Sequence, residues 1–163
     1  MVRPPLTPRY FIQDESRMSE TVQRLLAEVG DTGHPVAIMD GSCALCCFGA
    51  RMIDRLDRSG KVRICTVQSP LGAALLARHG LRAGDPESWL LIEGDRTWQG
   101  FAAMIRLGER AGGWGRLLLA LRLLPGPVAR WLYARIARNR YAVFGRGDLC
   151  ALPSPSLRAR LIG

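Results

Sequence analysis

The sequence predicts an α/β fold, a four-stranded mixed sheet flanked by helices, with an added helical C-terminal segment. Three observations predict it. Two short apolar runs, Pro35-Val36-Ala37-Ile38-Met39 and the stretch from Val62 to Val67, are each followed by a helix-length pattern. Trp89-Leu90-Leu91-Ile92 and Arg96-Thr97-Trp98 stand either side of Glu93-Gly94-Asp95, a connection short enough to force an antiparallel hairpin. From Phe101 the apolar spacing is helical and stays so.

Residues 1–13 are Pro-rich and expected to be weakly ordered. Met18, Val22, Leu25, Leu26 and Val29 then repeat at helical spacing, with Gly30 as the stop. Pro35 to Met39 reads as a strand buried on both faces. Asp40-Gly41-Ser42 turns the chain into a helix over 43–58 that places Phe48, Met52, Ile53 and Leu56 inward, and Ser59-Gly60 ends it. The run 62–67 is β-branched and reads as the second strand. Ser69-Pro70 is an N-cap followed by proline, opening a helix that runs to His79 and stops at Gly80. After the hairpin, helices are expected over 101–111, 114–124 and 128–138, punctuated by Gly112-Gly113 and Pro125-Gly126-Pro127. The stretch 139–150 looks irregular, and Ser154-Pro155 caps one last short helix. A right-handed crossover makes the first two strands parallel, and the hairpin extends the same sheet. Four strands covered by helices on both faces is a thioredoxin-like architecture. The expected organisation is an N-terminal extension over 1–34 carrying one amphipathic helix, then a single domain over 35–163 that includes C-terminal helices from about 113.

Nothing near Met1 resembles the apolar core of a secretory signal, and the most apolar stretch, 117–124, is interrupted by Arg122 and stopped by Pro125. It falls well short of the roughly 20 residues needed to span a membrane. The expectation is a cytoplasmic protein that is not an integral membrane protein. In that compartment five cysteines are more naturally catalytic, metal-binding or buried than a disulfide framework. The net charge of +9 is unevenly placed. Residues 1–100 are neutral, whereas 101–163 hold eleven arginines against only Glu109 and Asp148. Such a segment is either a solvated helical surface or the footprint of an anionic partner, and no nucleic-acid-reading motif accompanies it.

The chemistry is concentrated in Asp40-Gly41-Ser42-Cys43-Ala44-Leu45-Cys46-Cys47. A Cys-x-x-Cys alone is weak evidence, but one that follows a buried strand and opens a helix is far more specific. First-turn amides have no intrahelical partners and carry the positive end of the dipole, so a thiolate placed there is stabilised. Cys43 is therefore the expected nucleophile. Cα atoms three apart on a helix are roughly 5 Å from each other, inside the disulfide range of about 4.4–6.8 Å, so Cys46 can resolve a mixed disulfide. Cys47 is also within range, although the spacing favours Cys46 and leaves Cys47 as a small buried hydrophobe. Asp40 either caps the turn through backbone N–H groups or accepts a proton from the resolving thiol.

These residues resemble the DCC family of thiol–disulfide oxidoreductases, named for an Asp-x-x-Cys-x-x-Cys signature whose positions Asp40, Cys43 and Cys46 occupy. The resemblance runs over about residues 36–161. It takes in Val67-Gln68-Ser69, Ala73-Ala74-Leu75-Leu76, and Tyr133 with Ile136-Ala137-Arg138-Asn139-Arg140-Tyr141 and Phe144-Gly145-Arg146; Cys150 and Pro153 also match. It implies a thioredoxin-like fold and dithiol chemistry at Cys43 and Cys46. The expected partners are a protein or small thiol substrate and a separate reductant, with no cofactor. Thioredoxins place a cis-proline just before the third strand; the nearest candidate, Pro86, lies three residues before Trp89, so the docking edge is expected to differ.

Other features carry weaker signals. Cys65 lies in an apolar strand and reads as core, whereas Cys150 is either a third redox thiol or a structural contact. His79 near a helix end is explained by the dipole. Trp89, Trp98, Trp114 and Trp131 fit core positions better than binding platforms. Arg138 and Arg140, with Tyr141, either bind an anion or pin the final loop. Against disulfide exchange stand two alternatives: a thiolate metal site using Cys43, Cys46 and Cys47, and an adaptor that docks on an anionic surface through its basic helices.

Overall fold

A computed structural model describes residues 33–82, 84, 89–149 and 153–163, together with Glu20, Gln23, Arg24 and Ala27. Those four residues are helical. The rest of the expected N-terminal helix, the weak order expected over 1–13, Pro86 and Cys150 lie outside the described residues.

In chain order the elements are β1 (Val36–Met39), α1 (Ala44–Leu56), β2 (Arg63–Thr66), α2 (Pro70–Arg78), β3 (Leu90–Glu93), β4 (Arg96–Gln99) and α3 (Gly100–Ala111). A 3-10 helix (Gly113–Leu123), α4 (Gly126–Phe144), α5 (Pro155–Arg160) and β5 (Leu161–Ile162) complete them. The sheet order is β4-β3-β1-β2-β5. β1 pairs parallel with β2 and antiparallel with β3, β3 and β4 form the hairpin, and β5 adds in parallel beside β2. This is the expected mixed α/β sheet of thioredoxin-like form, with a helical C-terminal part. The fifth strand is an addition, a two-residue pairing too short to leave a period in the sequence.

The strands alternate between two cores. Ala37 and Met39 of β1, Ile64 of β2 and Leu91 of β3 pack with Cys47, Ala50 and Ile53 of α1 and with Ala103 and Leu107 of α3. Val36 and Ile38, Cys65, and Leu90 and Ile92 point the other way, onto Leu71, Leu75 and Leu76 of α2. Ile38 and Ile64 are fully buried, and each contributes about 1.5–3 kcal/mol. The Ser69 cap forms as expected, its Oγ accepting from the Gly72 N–H at 3.0 Å. Ser154 does the same for the Leu157 N–H at 3.2 Å.

Several local expectations are corrected. The helix over 43–58 is shorter, with Cys43 as its N-cap residue and Asp57 as its C-cap. Phe48, expected inward, is 57% exposed, because the inward stripe of α1 is Cys47, Ala50 and Ile53. Trp114 and Trp131, expected in the core, are exposed. The stretch 139–150 is not irregular throughout: α4 continues to Phe144 and ends at Gly145, whose φ of +79° suits glycine. Tertiary anchors override the weak local propensity. Tyr133 packs edge-on against Phe101 with ring centroids 5.5 Å apart, and the end of the helix is tied to Asp40.

Candidate functional site

β1 and β2 are adjacent and parallel, with Met39 opposite Thr66, so the residues that follow them meet at one end of the sheet. Asp40 leaves β1 there, and Gln68 leaves β2. α1 begins in the same place. Cys43 is its N-cap, extended at φ −102° and ψ 125°, and the first helical bond runs from the Cys47 N–H to the Cys43 carbonyl at 2.9 Å. Cys46 falls at the third helical position, with its thiol beside that of Cys43.

Asp40 is buried and its carboxylate is fully engaged. Oδ1 accepts from the Ser42 N–H at 2.9 Å, the Ser42 hydroxyl at 2.7 Å and the Gln68 amide at 2.7 Å. Oδ2 accepts from the Arg140 guanidinium at 2.7 Å and from the Tyr141 hydroxyl. Burial would raise this carboxyl, but the hydrogen bonds from Tyr141, Arg140 and Ser42 outweigh it and hold it well below the usual carboxylate range. Gln68 also accepts from the Gly41 N–H at 3.1 Å, closing the turn. The Arg146 guanidinium lies 5.6 Å from the Tyr141 ring centroid and that of Arg140 4.9 Å, so the ring sits among cations.

The thiols differ in surroundings. Cys43 is fully buried. Residues 145–149 run across it: Arg146 forms a β-bridge with Cys43, the Gly147 N–H donates to the Ser42 carbonyl at 3.0 Å, and the Leu149 N–H to the Gly41 carbonyl at 2.9 Å. Gly147 lies so close that a Cβ there would stand 2.9 Å from the Ala44 Cα and 3.1 Å from the Cys47 sulfur. Cys46 is partly exposed. Burial first, then the Cys43 sulfur beside it, pushes its thiol up to about 12, against the opposing pull of the Asp40 N–H and the Arg140 charge. Cys47 is buried, its thiol donating to the Gly41 carbonyl at 3.4 Å, and burial raises its pKa as well. Cys65 belongs to the opposite core, 3.3 Å from the Ser69 hydroxyl.

Cys46, Asp40 and Arg140 line a groove of about 460 Å³ between α1, α3, the 3-10 helix and α4. Its walls are otherwise largely apolar, among them Phe48, Met52, Met104, Trp114, Leu118 and Phe144.

The structure thus brings Asp40, Cys43, Cys46, Cys47 and Arg140 together. It leaves Arg138 outside, exposed and bonded to the Ala134 carbonyl of its own helix. Sequence reasoning missed Ser42 and Gln68 as partners of Asp40. The signal for Gln68 was present, since a polar residue just past the neighbouring parallel strand must arrive at the same sheet end. Among the described residues no group of three or more His, Cys, Asp or Glu side chains is arranged to hold a metal ion.

A family model described as DCC1-like thiol-disulfide oxidoreductase matches residues 37–146. The uncharacterized protein YuxK of Bacillus subtilis is 33% identical over 127 residues, covering 78% of this chain and 93% of that protein. A DCC family protein of Arabidopsis thaliana, named as chloroplastic, is 34% identical over 119 residues, covering 72% of this chain and 69% of that protein. No solved structure matches the chain.

Proposed function

The chain belongs to the DCC1-like thiol–disulfide oxidoreductase family, and from that premise we propose that Cys43 and Cys46 form a dithiol couple that exchanges disulfides with a protein or small thiol substrate. The observation that carries this reading is the pair of neighbouring thiols at the start of α1, directly after a buried strand.

Burial and the Cys43 sulfur push the Cys46 thiol up to about 12, so it is a poor attacking group near neutrality, and the attack falls to Cys43 at the helix N-terminus. The Cys43 thiolate attacks one sulfur of a substrate disulfide, forming a mixed disulfide and releasing a substrate thiolate. That thiolate takes up a proton. Cys46 then loses its proton and attacks the Cys43 sulfur, which releases the second substrate thiol and leaves a Cys43–Cys46 disulfide. Two electrons have passed to the substrate, and a thiol reductant restores the dithiol. Residues 145–149 must lift before a substrate sulfur reaches Cys43.

Asp40 acts here as a positioning residue. Its carboxylate is already saturated with donors and strongly acidic, which makes it a weak proton acceptor, while its bonds to Ser42, Gln68 and Arg140 fix the turn that leads into α1. Holding Asp40 therefore holds the start of the helix that carries both thiols. Cys47 and Arg140 support the same arrangement.

The test is a thiol map across a graded redox buffer, each sample quenched, alkylated and read peptide by peptide. One two-electron couple between Cys43 and Cys46 is expected. Cys43→Ser should abolish exchange, and Cys46→Ser should trap the mixed disulfide. If the two cysteines never pair, or exchange survives in Cys43→Ser, the proposal fails.

A further inference from the structure

A 3-10 helix has three residues per turn, so positions i and i+3 eclipse and three straight rows form along it. In Gly113–Leu123 the inward row contains Gly115, Leu118 and Leu121, and Gly115 packs on Gly108 of α3 so tightly that a Cβ on Gly108 would lie 2.4 Å from the Gly115 carbonyl. The outer row is Trp114, Leu117, Ala120 and Leu123, with Trp114, Leu117 and Leu123 exposed by 78%, 68% and 86%. The remaining row holds Arg116 and Arg122, both exposed. An α-helical period would have scattered these apolar residues around the axis; the tighter winding lines them up in water.

This row is continuous with more exposed apolar surface. Phe48 and Phe144 are 57% and 46% exposed, and they line the same groove as Trp114 and Leu117. Scattered exposed leucines need no explanation, but a contiguous patch of this kind marks a binding surface.

Charge decides what it binds. Residues 101–163 carry the whole net charge of +9. Glu109 is held by Arg106 and Arg122, while Arg116, Arg130 and Arg135 are exposed. A second copy of the chain would set arginine against arginine across a symmetric interface. A soluble acidic partner accounts for the arginines and leaves the Trp–Leu row unexplained. We propose that the outer row of the 3-10 helix, flanked by its arginines, is an interfacial surface that lays the protein on an anionic lipid bilayer.

A bilayer surface supplies both halves of the match, phosphates for the arginines and the acyl boundary for Trp114, Leu117 and Leu123. Tryptophan favours that boundary. No described helix is long and apolar enough to cross a membrane. The proposal stands apart from the thiol chemistry, and its test does not use it.

The full chain, kept reduced, is sedimented with vesicles of phosphatidylcholine containing phosphatidylglycerol and with pure phosphatidylcholine, while tryptophan emission is followed. Partitioning to the anionic vesicles, a blue shift and weakening with salt are expected. The double variant Leu117→Glu/Leu123→Glu should lower partitioning about tenfold or more, with an unchanged thermal melt because both side chains are already in water. Arg116→Glu/Arg130→Glu should do the same. Absence of partitioning, equal partitioning to neutral vesicles, or partitioning untouched by the leucine variant overturns the proposal. So does a concentration-dependent dimer that the leucine variant dissolves, since the row would then be covered by a second copy.

Discussion

At the scale of single residues, the pair that matters most is Asp40 with Arg140. Both are buried, and their side chains meet at 2.7 Å across 100 residues of chain. Breaking a buried pair leaves one charge uncompensated, so Arg140→Ala should cost about 3–5 kcal/mol, read as a fall in the urea midpoint. Asp40 has its carboxyl held below the ordinary value, as do Asp54 and Asp57. The stability each contributes is complete above the unfolded value of about 3.9 and is lost as pH falls toward the folded one. The wild type should therefore lose stability as pH drops below about 4, and Asp40→Asn should be less stable near neutrality with a flatter decline in acid. Equilibrium unfolding at a series of pH values checks both. Cys46 shifts the other way, up to about 12. Its alkylation by iodoacetamide, followed by peptide mass spectrometry, should still be rising with pH above the range where an ordinary thiol, with pKa about 8.5, has levelled off.

Among the elements, two close approaches can be tested by a single methyl group. Gly147 lets residues 145–149 lie against the start of α1, and an alanine there must push that segment away from Ala44 and Cys47. Gly147→Ala should speed alkylation of Cys43 several-fold while Cys65, in the other core, is unaffected. Equal protection of Cys43 in the variant would mean that this segment does not control access. Gly108 plays the same part between α3 and the 3-10 helix. Gly108→Ala brings a Cβ to 2.4 Å from the Gly115 carbonyl, and overpacking of this kind costs about 1–3 kcal/mol, measurable in the denaturation midpoint.

For the molecule as a whole, both ends of the C-terminal segment are tied back to the sheet by arginines. Arg140 of α4 reaches Asp40 at the end of β1. Arg160 of α5 meets Asp54 at 2.9 Å and Asp57 at 2.7 Å and donates to the Asp57 carbonyl at 2.8 Å, which holds β5 beside β2. Asp57 meanwhile accepts the Val62 N–H at 3.0 Å, fixing the entry to β2. The Arg140 contact turns the helices following the hairpin into a cover for the dithiol end of the sheet, and the Arg160 contacts fasten the chain's last residues at the opposite end.

The sequence by itself determined the sheet and its local caps. The continuous apolar run of β1, the short hairpin connection and the Ser69 and Ser154 caps depend on neighbours a few residues away, and each is legible in the order of residue types. The Cys-x-x-Cys after a strand was legible for the same reason. Only the tertiary structure decided that Phe48 faces out, that α4 runs on to Phe144, and that the segment after Gly112 winds into a 3-10 helix with an exposed row. It alone also set Ser42, Gln68, Arg140 and Tyr141 around Asp40 and covered Cys43 with residues 145–149. Those outcomes rest on contacts between residues as many as 101 positions apart, where the energy comes from burial and ion pairing that no local pattern encodes.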